Sequence, residues 1–221
     1  MASLAHHFYT MACNNAWSNL RLLGACAKLS QDDFVARRTS FFPSIKATAN
    51  HILTVDWYYI DALERAQCGE TPNTEPARFF EPEEPFEQCA PLADAQREAD
   101  RRLIAACIAL DERNIELPVP LMRRHGIETE STTRLLAHLF QHQIHHRGQV
   151  HTMLAGTPVK PPQLDEFFCA NEAHLRAAEL AELGLSEAAI WQEVVPAKAR
   201  GPWSRPSDFE MNDTGFPPVR E

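Results

Sequence analysis

The chain has 221 residues, 44% hydrophobic and 23% charged, which is enough for one medium-sized domain with a real core. Its net charge of −9 argues against a general binder of nucleic acid or anionic membrane, because neutralising phosphate needs a basic surface. Eight glycines against sixteen prolines put glycine at about half its usual share, which argues against a turn-dense all-β fold and a Gly-rich nucleotide fold.

There is no apolar run long enough to span a membrane. Met1 to Thr10 lacks a basic stretch followed by an apolar one, so no secretion signal is expected and a cytoplasmic location is. The six cysteines (Cys13, Cys26, Cys68, Cys89, Cys107 and Cys169) form no C-x-x-C pair, which argues against a zinc ribbon or a thioredoxin-type motif. They are expected to be reduced, with Cys13, Cys26, Cys107 and Cys169 acting as small core residues.

In chain order, the apolar spacing predicts a first helix from about Ser3 to Leu29, with Ser3 as its cap. A connector containing Phe34, Phe41 and Phe42 follows. Pro43-Ser44 opens a second helix to about Gln67, stopped by Gly69. Residues 70–91 hold five prolines and six glutamates and read as an acidic surface loop. A third helix is expected over Leu92–Glu112. Leu117-Pro-Val-Pro-Leu121 is extended, as a short strand or a strap. A fourth helix is expected over Glu130–Ala155, a fifth over Leu164–Leu183, and a last short one from Ser186 to about Val195.

This pattern is that of an all-α protein, an up-and-down four-helix bundle with an additional C-terminal helix. Residues 1–195 form the domain, and 196–221 form a Pro-rich tail that cannot build its own core.

Five of the ten histidines fall within fourteen residues of the fourth helix, at His138, His142, His145, His146 and His151. At 100° per residue His138, His142 and His146 share one row. Two imidazoles at i and i+4 can bind one cation, but Gln143-Ile144-His145 between them lacks the glutamate base of an H-E-x-x-H protease. His51 on the second helix is the best candidate for a third ligand. His138 and His145 fit better as neighbours of the site or as packing residues, and an isolated histidine such as His6, His7, His125 or His174 is expected to have no special task.

Several blocks also carry a family resemblance, over roughly residues 6 to 190. They are Tyr9-Thr-Met-Ala-Cys-Asn-Asn-Ala-Trp17-Ser-Asn19, Phe41-Phe42-Pro-Ser44-Ile45, Asn50-His51-Ile-Leu-Thr-Val-Asp56-Trp57, the run His138 to His151, and Pro161-Pro162-Gln-Leu164-Asp165. Together they resemble the DinB/YfiT-like superfamily of metal-dependent enzymes, in its damage-inducible DinB branch. The resemblance implies a four-helix bundle, often a homodimer, with a divalent metal on His51, His142 and His146. It also implies thiol-dependent S-transfer or isomerisation of a small molecule, using glutathione, bacillithiol or mycothiol. A related sulfoxide-synthase branch has a glutamate where this chain has Gly148, which argues against that activity.

Around the site, Gln149 could orient a ligand imidazole. Gly148, unfavourable inside a helix, is expected to mark close packing. Asp56 is off the His51 face and reads as a structural partner for Arg147 or the first helix. Asn15, Trp17 and Asn19 are expected at the cavity mouth, and Tyr58 and Tyr59 in helix packing or proton donation. The leading reading is a metal-dependent, thiol-type transferase, with zinc as the expected metal and nickel or iron as alternatives. The alternatives in function are a non-catalytic metal-binding stress protein and a metal-dependent hydrolase.

Overall fold

The computed structural model describes residues 3–191. It is mostly helical. The elements are α1 (Leu4–Cys26), α2 (Gln31–Val35), α3 (Ile45–Cys68), α4 (Ala77–Phe80), α5 (Cys89–Ile108), β1 (Pro118–Arg123), β2 (Gly126–Ser131), α6 (Thr132–Ala155), α7 (Ala173–Glu182) and α8 (Glu187–Trp191). The tail 196–221 and the expected end of the last helix at Val195 lie outside the described residues.

The long helices begin and end where side-chain chemistry allows. Ser3, Ser44 and Ser131 each accept a hydrogen bond from the backbone N–H three residues on, capping α1, α3 and α6. Gly69 ends α3 with φ +68°, a left-handed conformation that a side chain would oppose. α1 packs against α5 and α6, and α3 packs against the same two helices, so the four long helices enclose one core. Trp17, Leu53, Ile60, Leu103 and Leu136 are completely buried there.

Four expectations need correction. The expected fifth helix starts nine residues late, after a 3-10 turn at Ala170–Glu172. The chain ahead of it is used to place Phe167 beside the Trp17 ring, 5.6 Å between centroids, and Trp17 donates to Glu179 at 2.7 Å. The acidic segment is not only surface, since it contains α4 and a buried Phe79, and Asn50 both donates to Phe86 O and accepts from Phe86 N at 2.9 Å. Cys169 is exposed, whereas Cys89 is buried with Cys13, Cys26 and Cys107.

The fourth correction concerns the extended segment. It is β1 of a two-stranded antiparallel hairpin that the chain pattern did not announce beyond Leu121. Both strands are edges, which tolerates Pro118 and Pro120. Val119 and Leu121 face the core, and Tyr58 donates to Met122 O at 2.8 Å, fixing the hairpin to α3. Pairing with β1 draws Glu130 and Ser131 into β2, so α6 starts at Thr132 rather than at Glu130.

Candidate metal centre

His51 comes from α3, and His142 and His146 come from successive turns of α6. Helix geometry places i and i+4 side by side, and the packing of α3 on α6 supplies the third imidazole. One nitrogen from each residue lies within 4.8 Å of the other two, and His51 Nε2 and His142 Nε2 are 2.9 Å apart. Three bonds of about 2.0–2.1 Å at a tetrahedral centre need nitrogens roughly 3.3 Å apart, so the His51–His142 pair is within a few tenths of an ångström of the spacing one cation requires, and His146 lies close enough to complete the set by small side-chain adjustment. Among the described residues no carboxylate, thiol or fourth histidine joins this group.

The environment keeps these ligands neutral. Burial, with the nearby His146, lowers His51 to about 4. Burial and the other imidazoles lower His142 to about 3. Burial also lowers His146, against the hydrogen bond to Gln149. Neutral imidazoles are the metal-binding form. His146 Nδ1 lies 2.8 Å from Gln149 Oε1, which fixes the ring with Nε2 free to face its partners. His142 Nδ1 is buried with no hydrogen-bond partner. The residues present therefore fit a divalent cation of the kind imidazole favours.

Aromatic rings and a cavity flank the site. Phe42 lies 4.3 Å from His51 and 5.5 Å from His146 between centroids, while Phe41 is exposed. A cavity of about 400 Å³ adjoins His142 and His138, with Tyr58, Tyr59, Phe80 and Arg123 in its wall. Tyr59 packs edge-on to His138 at 5.4 Å, and its hydroxyl accepts from Arg123 at 3.2 Å.

Behind α6 lies a buried polar network. Arg147 donates to Asn15 Oδ1, to Asn19 Oδ1 at 3.1 Å and to Gln143 Oε1 at 3.1 Å. The Asn15 and Asn19 amides in turn donate to Asp100 at 2.9 Å each, and Gln96 donates to Asp56 at 2.7 Å. The amides thus relay between a buried cation and a buried carboxylate that do not touch. Burial and the neighbouring Asp56 push the Asp100 carboxyl up to about 8, against the pull of Asn19, Arg147 and Gln96. Burial pushes Asp56 up to about 6 and Arg147 down to about 10. Gln143 and Arg147 each follow a ligand histidine by one residue, so the network holds the rotation of α6 that aims His142 and His146 at His51.

The structure brings His51, His142 and His146 together as expected, and Gln149 orients His146. Asp56 is a structural residue rather than a member of the histidine group, but its hydrogen-bond donor is Gln96 on α5, not Arg147 or the first helix. His138 stands beside the site, against Tyr59, and His145 is exposed, 3.1 Å from Gln149 Nε2. Asn15, Trp17 and Asn19 are not at the mouth of the cavity beside the histidines: all three are buried, two in the Arg147 network and Trp17 against Glu179 and Phe167. Gly148 is not closely packed within the chain, since a Cβ there would meet nothing within 4 Å. Residue-by-residue reading missed the Phe42 contact and Arg123, whose position depends on the hairpin; the lone arginine beside two tyrosines carries no spacing signal.

No curated protein matches this chain. A model of the DinB family matches residues 2–179, most of the described chain and all four long helices. With the histidine group in place on α3 and α6, the chain belongs to the DinB family.

Proposed function

We propose that this chain is a divalent-metal-dependent enzyme holding its metal on His51, His142 and His146, and that it carries out thiol-dependent S-transfer or isomerisation on a small electrophile. The observation that supports this most is that His142, one of the three grouped histidines, lines a cavity of about 400 Å³. Three neutral imidazoles leave open positions for a ligand, and a site sealed by a fourth protein ligand would serve structure instead. A bound divalent metal supplies Lewis acidity and favours the thiolate of a coordinated thiol. The protein's own residues do the rest. Phe42 shields one side of the imidazoles from water, Gln149 fixes the His146 ring, and the Arg147 network holds α6 in register.

On this reading the four long helices form an up-and-down bundle and zinc is the native metal, with nickel or iron as alternatives of similar ligand preference. The protein acts in the cytoplasm, as a homodimer. A hydrolase ranks lower, because no carboxylate lines the cavity among the described residues to act as a general base.

Two measurements test the proposal. Elemental analysis of the purified protein should find about one metal per chain, lost in His142→Ala and in His51→Ala. Retention in both variants refutes the ligand set. Glutathione, bacillithiol and mycothiol are then assayed with a model electrophile, with and without metal. No metal-dependent rate for any thiol favours a non-catalytic metal-binding protein.

A further inference from the structure

The cavity beside the histidines has a feature that metal binding does not use. In a chain of net charge −9, the formal charges in its lining are both positive, Arg123 and Arg124, and no Asp or Glu lines it among the described residues. Arg123 is half-buried at the end of β1. Its guanidinium lies 5.5 Å and 5.4 Å from the Tyr58 and Tyr59 ring centroids, and Nη2 donates to Tyr59 Oη. Among the described residues it makes no ion pair; Glu128 on β2 acts on it only through a weaker attraction. A guanidinium has five N–H donors in a planar fork, so most of this one is left over.

The fork is also held in place. Contact with two tyrosine rings and the bond to Tyr59 Oη restrict the side chain, and the Tyr58 bond to Met122 O pins the strand that carries it. A cation fixed in this way, with spare donors in one plane, matches a carboxylate bound through both oxygens. The same wall offers Tyr58 and Phe80 as apolar surface, and it includes His138 and His142.

We propose that Arg123 is a carboxylate-recognition residue, and that the cavity takes a carboxylate-bearing small molecule with its anionic end on Arg123 and its other end toward His142. The inference rests on the enzyme reading for what happens at His142, but the carboxylate contact stands without it. The carboxylate has two sources: the thiol or the electrophile. Glutathione and bacillithiol carry carboxylates and mycothiol does not, so a thiol seated on Arg123 is one of the first two. A cavity of about 400 Å³ is within the range of small-molecule sites.

The test uses the full chain, zinc-loaded and chelator-stripped, in titration calorimetry. Glutathione is compared with its diethyl ester, and 3-phenylpropionate with 3-phenylpropionamide. In at least one pair the carboxylate form should bind about 10- to 100-fold more tightly. The glutathione pair reports a carboxylate on the thiol, and the phenyl pair one on the electrophile. The preference should survive metal stripping, disappear in Arg123→Met and shrink several-fold in Arg123→Lys, which keeps the charge and loses the fork. No preference in either pair overturns the proposal, as does a preference that survives Arg123→Met. So does one that vanishes on stripping, which puts the carboxylate on the metal. If Arg123→Met does not fold, Arg123→Lys decides, and an unchanged preference there refutes the fork. A carboxylate preference without any metal-dependent thiol rate refutes the enzyme reading and leaves Arg123 standing; a thiol rate without the preference does the reverse.

Discussion

Replacing Arg147 by methionine removes the one cation of the buried network while keeping most of the side-chain volume. Three buried acceptors lose their donor: Asn15 Oδ1, Asn19 Oδ1 and Gln143 Oε1. At about 1 kcal/mol or more for each unsatisfied buried acceptor, this costs about 3 kcal/mol. Breaking a buried charge network independently suggests roughly 3–5 kcal/mol. Protonation of Asp56 and Asp100, already pushed up to about 6 and about 8, recovers part of the electrostatic loss. The expectation is therefore a loss of about 3–4 kcal/mol at pH 7. For a domain of this size, that is a fall in Tm of roughly 6–16 °C.

The pH dependence carries a sign. Loss of Arg147 raises the folded-state pKa values of both carboxyls further above the ordinary aspartate value, so the folded variant holds more protons than the folded wild type. Its stability then falls more steeply as pH rises, and the gap to wild type widens between about pH 5 and pH 8. Urea denaturation of metal-stripped protein at pH 5, 7 and 8 measures this, and titration of the histidines largely cancels in the difference. A gap below about 1 kcal/mol at pH 7, or one that widens on acidification, refutes the account of the network.

Gln149→Ala leaves His146 Nδ1 without its orienting partner and should weaken zinc affinity about 10- to 100-fold in a chelator competition, with the fold intact; unchanged affinity would show that Gln149 orients nothing. His51 and His142 are lowered to about 4 and about 3, so protons compete weakly above pH 6. Zinc affinity should change less than about threefold between pH 7 and pH 6 and fall steeply only on further acidification, and a tenfold drop in that first interval contradicts the assignment. Gly148→Ala should stabilise the protein by about 0.5–1 kcal/mol, because the site is open and helical. A lower Tm in that variant would mean that Gly148 is covered by something other than this chain.

The helices were readable because their signals are local. Ser44 and Gly69 bracket α3 by capping chemistry that acts within one turn, and the i, i+4 spacing of His142 and His146 places both on one face of any helix they form. The hairpin was only half readable. Pro118 and Pro120 announce extended backbone, but β2, Gly126 to Ser131, is largely exposed and lacks apolar alternation, so only its pairing with β1 makes it a strand. The same pairing moves the start of α6, and it delivers Arg123 to Tyr58 and Tyr59.

The first-helix residues show the limit in another way. Asn15 and Asn19 are polar and look as if they belong at a cavity mouth, yet they are buried because Asp100 on α5 and Arg147 on α6 satisfy them. Their partners are separated from them by more than eighty residues, and no local pattern records such pairings. By itself the sequence determined the helical class, the capped ends of α3 and the pair His142 and His146, all set within a few turns. Only the tertiary structure decided that His51 meets them, that Arg147 is buried behind them, and that the cavity beside them is lined with positive rather than negative charge. Each of these depends on which faces of distant elements come together.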